Sequence, residues 1–186
     1  MLLPGLCALM LFIPAAATAG EILASSVTHA DGRYDLTITA RINAPRDAVL
    51  RAITDYSNLA AINPDIEVSE LLGTTPDGVS TVRTVIHVCI LVFCKRVQQL
   101  QQVARPRADT IEAVIVPEGS DFRSGFARWQ LASISAMTTE LQFTETFEPD
   151  FWVPPLIGPW LIRRKLVGEV AETLMYIEAQ HAAGTP

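Results

Sequence analysis

Hydrophobic positions change their spacing twice along this chain, and the changes divide it into elements. From Tyr34 to Asn43 apolar and polar residues alternate, the period of a strand with one face buried. Ala44-Pro45-Arg46-Asp47 then opens a helix with proline in its first turn and an acid near its positive end. Val49, Ile53 and Tyr56 share a face of that helix, which is expected to stop near Asp55. A short second helix over Ser57 to Ile62 should close at Asn63-Pro64, because the residue before proline avoids the helical region. Past Pro64 the pattern returns to short β-rich runs: Ile66 to Leu72, Val79 to Val88, Lys95 to Val103, Thr110 to Val116, Phe122 to Leu131 and Thr139 to Phe147. Turns are expected at Thr75-Pro76-Asp77-Gly78, at Arg105 to Asp109 and at Pro117-Glu118-Gly119-Ser120. A last helix should begin near Pro159, with Leu166, Val167, Val170, Leu174 and Ile177 on one face. Strand, two helices, six strands and a helix make an α+β chain, an antiparallel sheet with a long terminal helix on one face.

Several local stretches resemble one known superfamily. Ile42-Asn43-Ala44-Pro45-Arg46-Asp47-Ala48-Val49 is similar to its first strand-to-helix junction, and Asp55 to Pro64 to its helix-to-strand junction. Phe126 to Leu131, the strand ending Phe147-Glu148-Pro149, and Pro154-Pro155-Leu156 before the last helix are similar again. Together they resemble the START-like (SRPBCC) superfamily of polyketide cyclases, dehydrases and coenzyme Q-binding proteins, across essentially the whole mature chain. The resemblance implies a helix-grip fold: a curved antiparallel sheet of about seven strands wrapped around the C-terminal helix, with a hydrophobic cavity between them. Members bind lipids, sterols, quinones or polyketides, and some cyclise or dehydrate their ligand.

The first 19 residues stand apart, being apolar and uncharged up to Pro14 and then carrying Ala17-Thr18-Ala19. They read as a secretory signal peptide, which leaves residues 20–186 as one domain and directs the protein across the inner membrane, to the periplasm. A net charge of -6 argues against a nucleic-acid partner. Mean hydropathy of +0.29 is high for such a domain and suggests apolar surface lining a cavity. Export would place Cys89 and Cys94 where a disulfide persists, and a bridge at that spacing needs the chain to turn between them. The alternative is a pair of reduced, buried cysteines.

Candidate chemistry is sparse. Glu145 shares a strand face with Leu141, Phe143 and Phe147, so it is either an acid–base or ligand-anchoring group inside the cavity or an outward, paired carboxylate at the sheet edge. His87 is the other acid–base candidate, with exposure as its alternative. The three histidines show no ligand spacing, so neither metal nor cofactor is expected. Strand parity and helix face select Trp129, Phe143, Phe147, Trp160, Val167, Val170 and Leu174 to line the cavity. The Ile90-Leu91-Val92-Phe93 tip either folds onto the core or meets a membrane, ligand or partner, and with the Phe151 to Trp160 loop it could form one apolar rim. Trp152 and Leu156 belong to that portal, with Arg163, Arg164 and Lys165 either solvated or facing anionic headgroups.

The expected function is binding and transfer of a hydrophobic small molecule or lipid by a monomer with transient membrane contact. A polyketide cyclase or dehydratase using Glu145 or His87, and an envelope-protein docking domain, are the alternatives.

Overall fold

A computed structural model describes residues 20–90, 93–153 and 158–184, with only the backbone of Ile90, Phe93 and Pro159. Its elements run β1 (Glu21–Ala30), β2 (Arg33–Ile42), α1 (Arg46–Thr54), α2 (Leu59–Ile62), β3 (Ile66–Thr74), β4 (Ser80–Ile90), β5 (Phe93–Arg107), β6 (Thr110–Ile115), β7 (Phe122–Ser135), β8 (Thr138–Pro149) and α3 (Gly158–Ala182). The strands form one antiparallel sheet of eight, in the order β1-β2-β8-β7-β6-β5-β4-β3. α1 and α2 carry the chain from β2 to the far edge strand β3, and the curved sheet holds α3 on its inner face.

Strict alternation builds the centre of this sheet. Tyr34, Leu36, Ile38, Ala40 and Ile42 of β2 are all buried, while the residues between them are exposed or only partly buried. Across β8 the row continues as Leu141 and Phe143, and α3 covers it with Leu174 and Ile177, which are 1% and 2% exposed. Each such side chain contributes about 1.5–3 kcal/mol through burial. Glu178 ties the helix down: its carboxylate accepts the Gly20 amide at 2.7 Å and the Asn43 amide at 2.6 Å. Thr139 donates its hydroxyl to the Ala44 carbonyl at 2.8 Å and so holds the β2–α1 junction against β8.

β1 is the element the periodicity missed, making eight strands where about seven were expected. Ile22 and Val27 are an odd number of residues apart and should face opposite ways. A bulge between Ile22 and Ala24 reverses the parity, so both pack against the core. Asp31 and Gly32 form the turn that joins β1 to β2: both have positive φ, 50° and 82°, the geometry for which this dipeptide is favoured in two-residue hairpins. β5 also outruns its expected end, passing through Pro106 to Arg107 at a register irregularity after Ala104, where a proline is tolerated.

Cys89 and Cys94 face each other across β4 and β5 and are bridged. The tip residues Leu91 and Val92, the side chains of Ile90 and Phe93, and Leu156 lie outside the described residues, as do residues 1–19, where a leader is expected.

Candidate functional site

Two cavities lie between the sheet and α3. The larger, about 270 Å³, has walls from β2 to β8 and all three helices, including Leu36, Val82, Trp129, Phe143, Val170 and Leu174. The smaller, about 110 Å³, lies toward the β4–β5 hairpin and the start of α3, among Val88, Val97, Phe122, Phe147, Phe151 and Ile162. Aromatic contacts give each its shape. Trp129 and Phe143 meet at 5.0 Å in the larger. In the smaller, Phe122 meets Phe147 and Phe151 edge-on, each at 5.9 Å, and Tyr34 stacks on Phe147 at 5.3 Å.

Ile86, Gln99, Glu145, Leu166 and Glu169 border both cavities. Polar groups therefore collect where two apolar chambers adjoin. On β8 the alternation that points Leu141 and Phe143 inward also carries Glu145 inward, and its cross-strand partners are Leu36 on β2 and Ala127 on β7. Among the described residues no hydrogen bond or ion pair reaches its carboxyl. Burial pushes that carboxyl up to about 7, and the charge of Glu169 adds to the rise.

Glu169 is better provided for. Asn63 Nδ2 donates to it at 3.2 Å, and Lys165 Nζ, one helical turn earlier, lies 3.6 Å away. Burial still raises its pKa above the ordinary carboxylate range, against the opposing charge of Lys165. Lys165 also pairs closely with Asp65, whose backbone amide donates to Asn63 Oδ1 at 2.9 Å. Burial works against the lysine's charge, but the bond to Asp65 and the neighbouring Glu169 outweigh it and leave the ammonium favoured. The Asn63-Pro64-Asp65 corner that ends α2 thus carries the counter-groups of the terminal helix.

Trp129, Phe143, Phe147, Val170 and Leu174 border one chamber or the other, and Val167 packs against the same core. Three expectations are corrected. Trp160 does not line the cavity: it is 59% exposed on the outer side of α3, with the Arg164 guanidinium 5.7 Å from its ring. Lys165 does not join Arg163 and Arg164 in facing outward, because the helix turns it toward Asp65 and Glu169. His87 is exposed and borders neither chamber; its Nε2 lies 3.8 Å from the bridged Cys89 sulfur. Trp152 is 72% exposed. The flanks of the two rim segments do meet, since Lys95 Nζ sits 4.3 Å over the Phe151 ring.

Sequence reasoning missed Glu169 and Asn63 as cavity groups and Asp65 as the partner of Lys165, and it left Gln98, Gln99, Gln101 and Gln102 open between a wet part of the cavity and an exposed sheet face. Glu169 was within reach of it, lying between Leu166 and Val170 on the apolar face of α3 and four residues after Lys165. The run of glutamines divides by parity: Gln99 and Gln101 face the larger cavity, whereas Gln98 donates to the Gly119 carbonyl at 2.8 Å.

This arrangement offers apolar enclosure, one carboxyl without a partner among the described residues, and a neighbouring network of bonded groups. The fold recurs in solved structures. A START superfamily protein from Mycobacterium smegmatis is 18% identical, with a TM-score of 0.67 over 78% of this chain and 97% of that one. The Zhui aromatase/cyclase from a Streptomyces species is 16% identical, at 0.60 over 80% and 93%. A STAR-related lipid transfer protein from Xanthomonas axonopodis is 16% identical, at 0.58 over 84% and 97%. No curated protein matches the sequence. Residues 33–179 match the family model described as polyketide cyclase / dehydrase and lipid transport, and the chain belongs to that family.

Proposed function

We propose that the protein is a periplasmic carrier that encloses one hydrophobic ligand, a lipid, isoprenoid quinone or sterol-like molecule, and transfers it between membranes or proteins. The observation that carries this reading is the pair of adjoining apolar cavities between sheet and α3. Removing an apolar ligand from water is worth about 25 cal/mol per Å² before the costs of binding, so affinity requires no reacting group. The smaller chamber, beside the Phe151–Val153 segment and the start of α3, is the mouth in this reading. Exposed Trp152 and Trp160, with Arg163 and Arg164, suit transient contact with an anionic lipid surface.

Native mass spectrometry of residues 20–186 purified from the exported fraction, followed by organic extraction, tests this. A stoichiometric lipid or quinone is expected. Protein that emerges empty and takes up nothing from a lipid panel would sink the carrier reading.

Glu145 favours a second reading, a cyclase or dehydratase in which this carboxyl moves a proton on a bound polyketide-like substrate. Glu145→Gln would then abolish turnover and leave binding intact.

A further inference from the structure

Three polar residues border both chambers. Glu145, Glu169 and Gln99 stand at the junction, with an aromatic chamber on one side and a larger, largely apolar chamber on the other. A ligand with its only polar group at a tip deep in either chamber or outside the protein would leave the junction unmet.

The junction also specifies which polar group it lacks. Lys165 and Asn63 already serve Glu169, and Lys165 is shared with Asp65. Half-buried Glu145 has no donor among the described residues, and an acceptor drawn out of water without one carries a desolvation cost. The Thr84 hydroxyl approaches the Gln99 amide oxygen at 3.5 Å. Gln99 lines both chambers, and its amide nitrogen has no acceptor among the described residues, which leaves it to donate. The free positions are therefore one acceptor, on Glu145, and one donor, on Gln99. With Glu145 ionised, as at pH 8 where the titrations are run, a hydroxyl answers both, because its oxygen receives while its hydrogen donates; a ketone then answers only Gln99, and an ammonium only Glu145.

Resting on the carrier reading, we infer that the junction selects a ligand bearing a hydroxyl partway along an apolar body, with one apolar arm in each chamber. Glu145 accepts from that hydroxyl, and Gln99 donates to it.

The test is isothermal titration calorimetry, at pH 8, of the delipidated full chain with three matched probes: methyl stearate, its mid-chain hydroxy analogue and its mid-chain oxo analogue. The hydroxy ester should bind roughly tenfold more tightly than methyl stearate, the scale of one hydrogen bond to a charged or buried acceptor. The oxo ester should gain less than that. In Glu145→Leu the ratio of hydroxy-ester to methyl stearate affinity should fall to about one, whatever the substitution does to methyl stearate itself, and Glu145→Gln, whose amide oxygen can still accept, should keep part of the preference. Equal binding of the hydroxy ester and methyl stearate by the wild type overturns the inference, as does a preference that survives in Glu145→Leu. If methyl stearate itself fails to bind along with both analogues, the carrier reading falls and takes this inference with it.

Discussion

Glu145 of β8 and Glu169 of α3 border the same two cavities, yet among the described residues only Glu169 has partners, Asn63 at 3.2 Å and Lys165 at 3.6 Å. Two carboxylates held together in low dielectric cannot both ionise cheaply, and the one without a donor yields its charge first.

This makes the fold's stability depend on pH at one position. The folded pKa of Glu145, about 7, lies above the ordinary value of 4.5, so the folded state holds a proton that the unfolded chain has lost. Its contribution is intact below about pH 4.5 and is lost as pH rises through 7, reaching at most about 3 kcal/mol, less where cavity water screens it. Glu145→Gln should therefore stabilise the protein at pH 8 and be close to neutral at pH 4.5. Urea unfolding of both proteins across that range checks it, and a pH-independent difference would refute the assignment.

Glu178 joins three parts of the chain through two short bonds, to the Gly20 and Asn43 amides. Glu178→Ala should cost about 2–4 kcal/mol, since each is a hydrogen bond to a charged acceptor. In a chain processed after Ala19, the Gly20 nitrogen is an ammonium and its bond becomes an ion pair. Thermal melts of Glu178→Ala and Glu178→Gln should then rank the alanine variant lowest, with the glutamine variant between it and the wild type.

The Cys89–Cys94 bridge closes a very small loop, so its chain-entropy contribution is limited to about 2 kcal/mol. Replacing both cysteines with alanine should lower the melting temperature by several degrees without unfolding the domain. A reducing agent should do the same to the wild type and nothing further to the double variant.

Gly125 on β7 is kept small by its neighbour. A Cβ there would stand 2.6 Å from Ile115 Cγ1 and 3.4 Å from the Thr146 carbonyl oxygen. Gly125→Ala should cost about 1–3 kcal/mol through overpacking beside the smaller chamber, measured by chemical denaturation.

Local pattern carried a large share of this fold. Alternation at Tyr34 to Ile42 and Leu141 to Phe147 named the inward faces, and helical spacing from Leu166 to Ile177 named the face of α3 that meets them. Where two devices interfered the pattern failed. The bulge at Ile22 to Ala24 reversed the phase of β1, and the proline in β5 looked like the end of the strand. Both are local irregularities that only partner strands can absorb.

The sequence by itself determined that an acid would sit in an apolar row on β8, because side-chain direction along a strand follows from parity alone. It also determined that two cysteines could be joined only across a turn. Tertiary structure alone decided what the acid would meet. Asn63 and Asp65 are about a hundred residues from the helix positions they serve, and no periodicity relates them. The rotation of α3 sends Lys165 to Asp65 and leaves Trp160 outside; it is set by the burial of Leu174 and Ile177 and by the Glu178 contacts at the far end of the helix. Contacts between distant segments arise from the packing of whole faces, and the partner of any single side chain is a consequence of that packing.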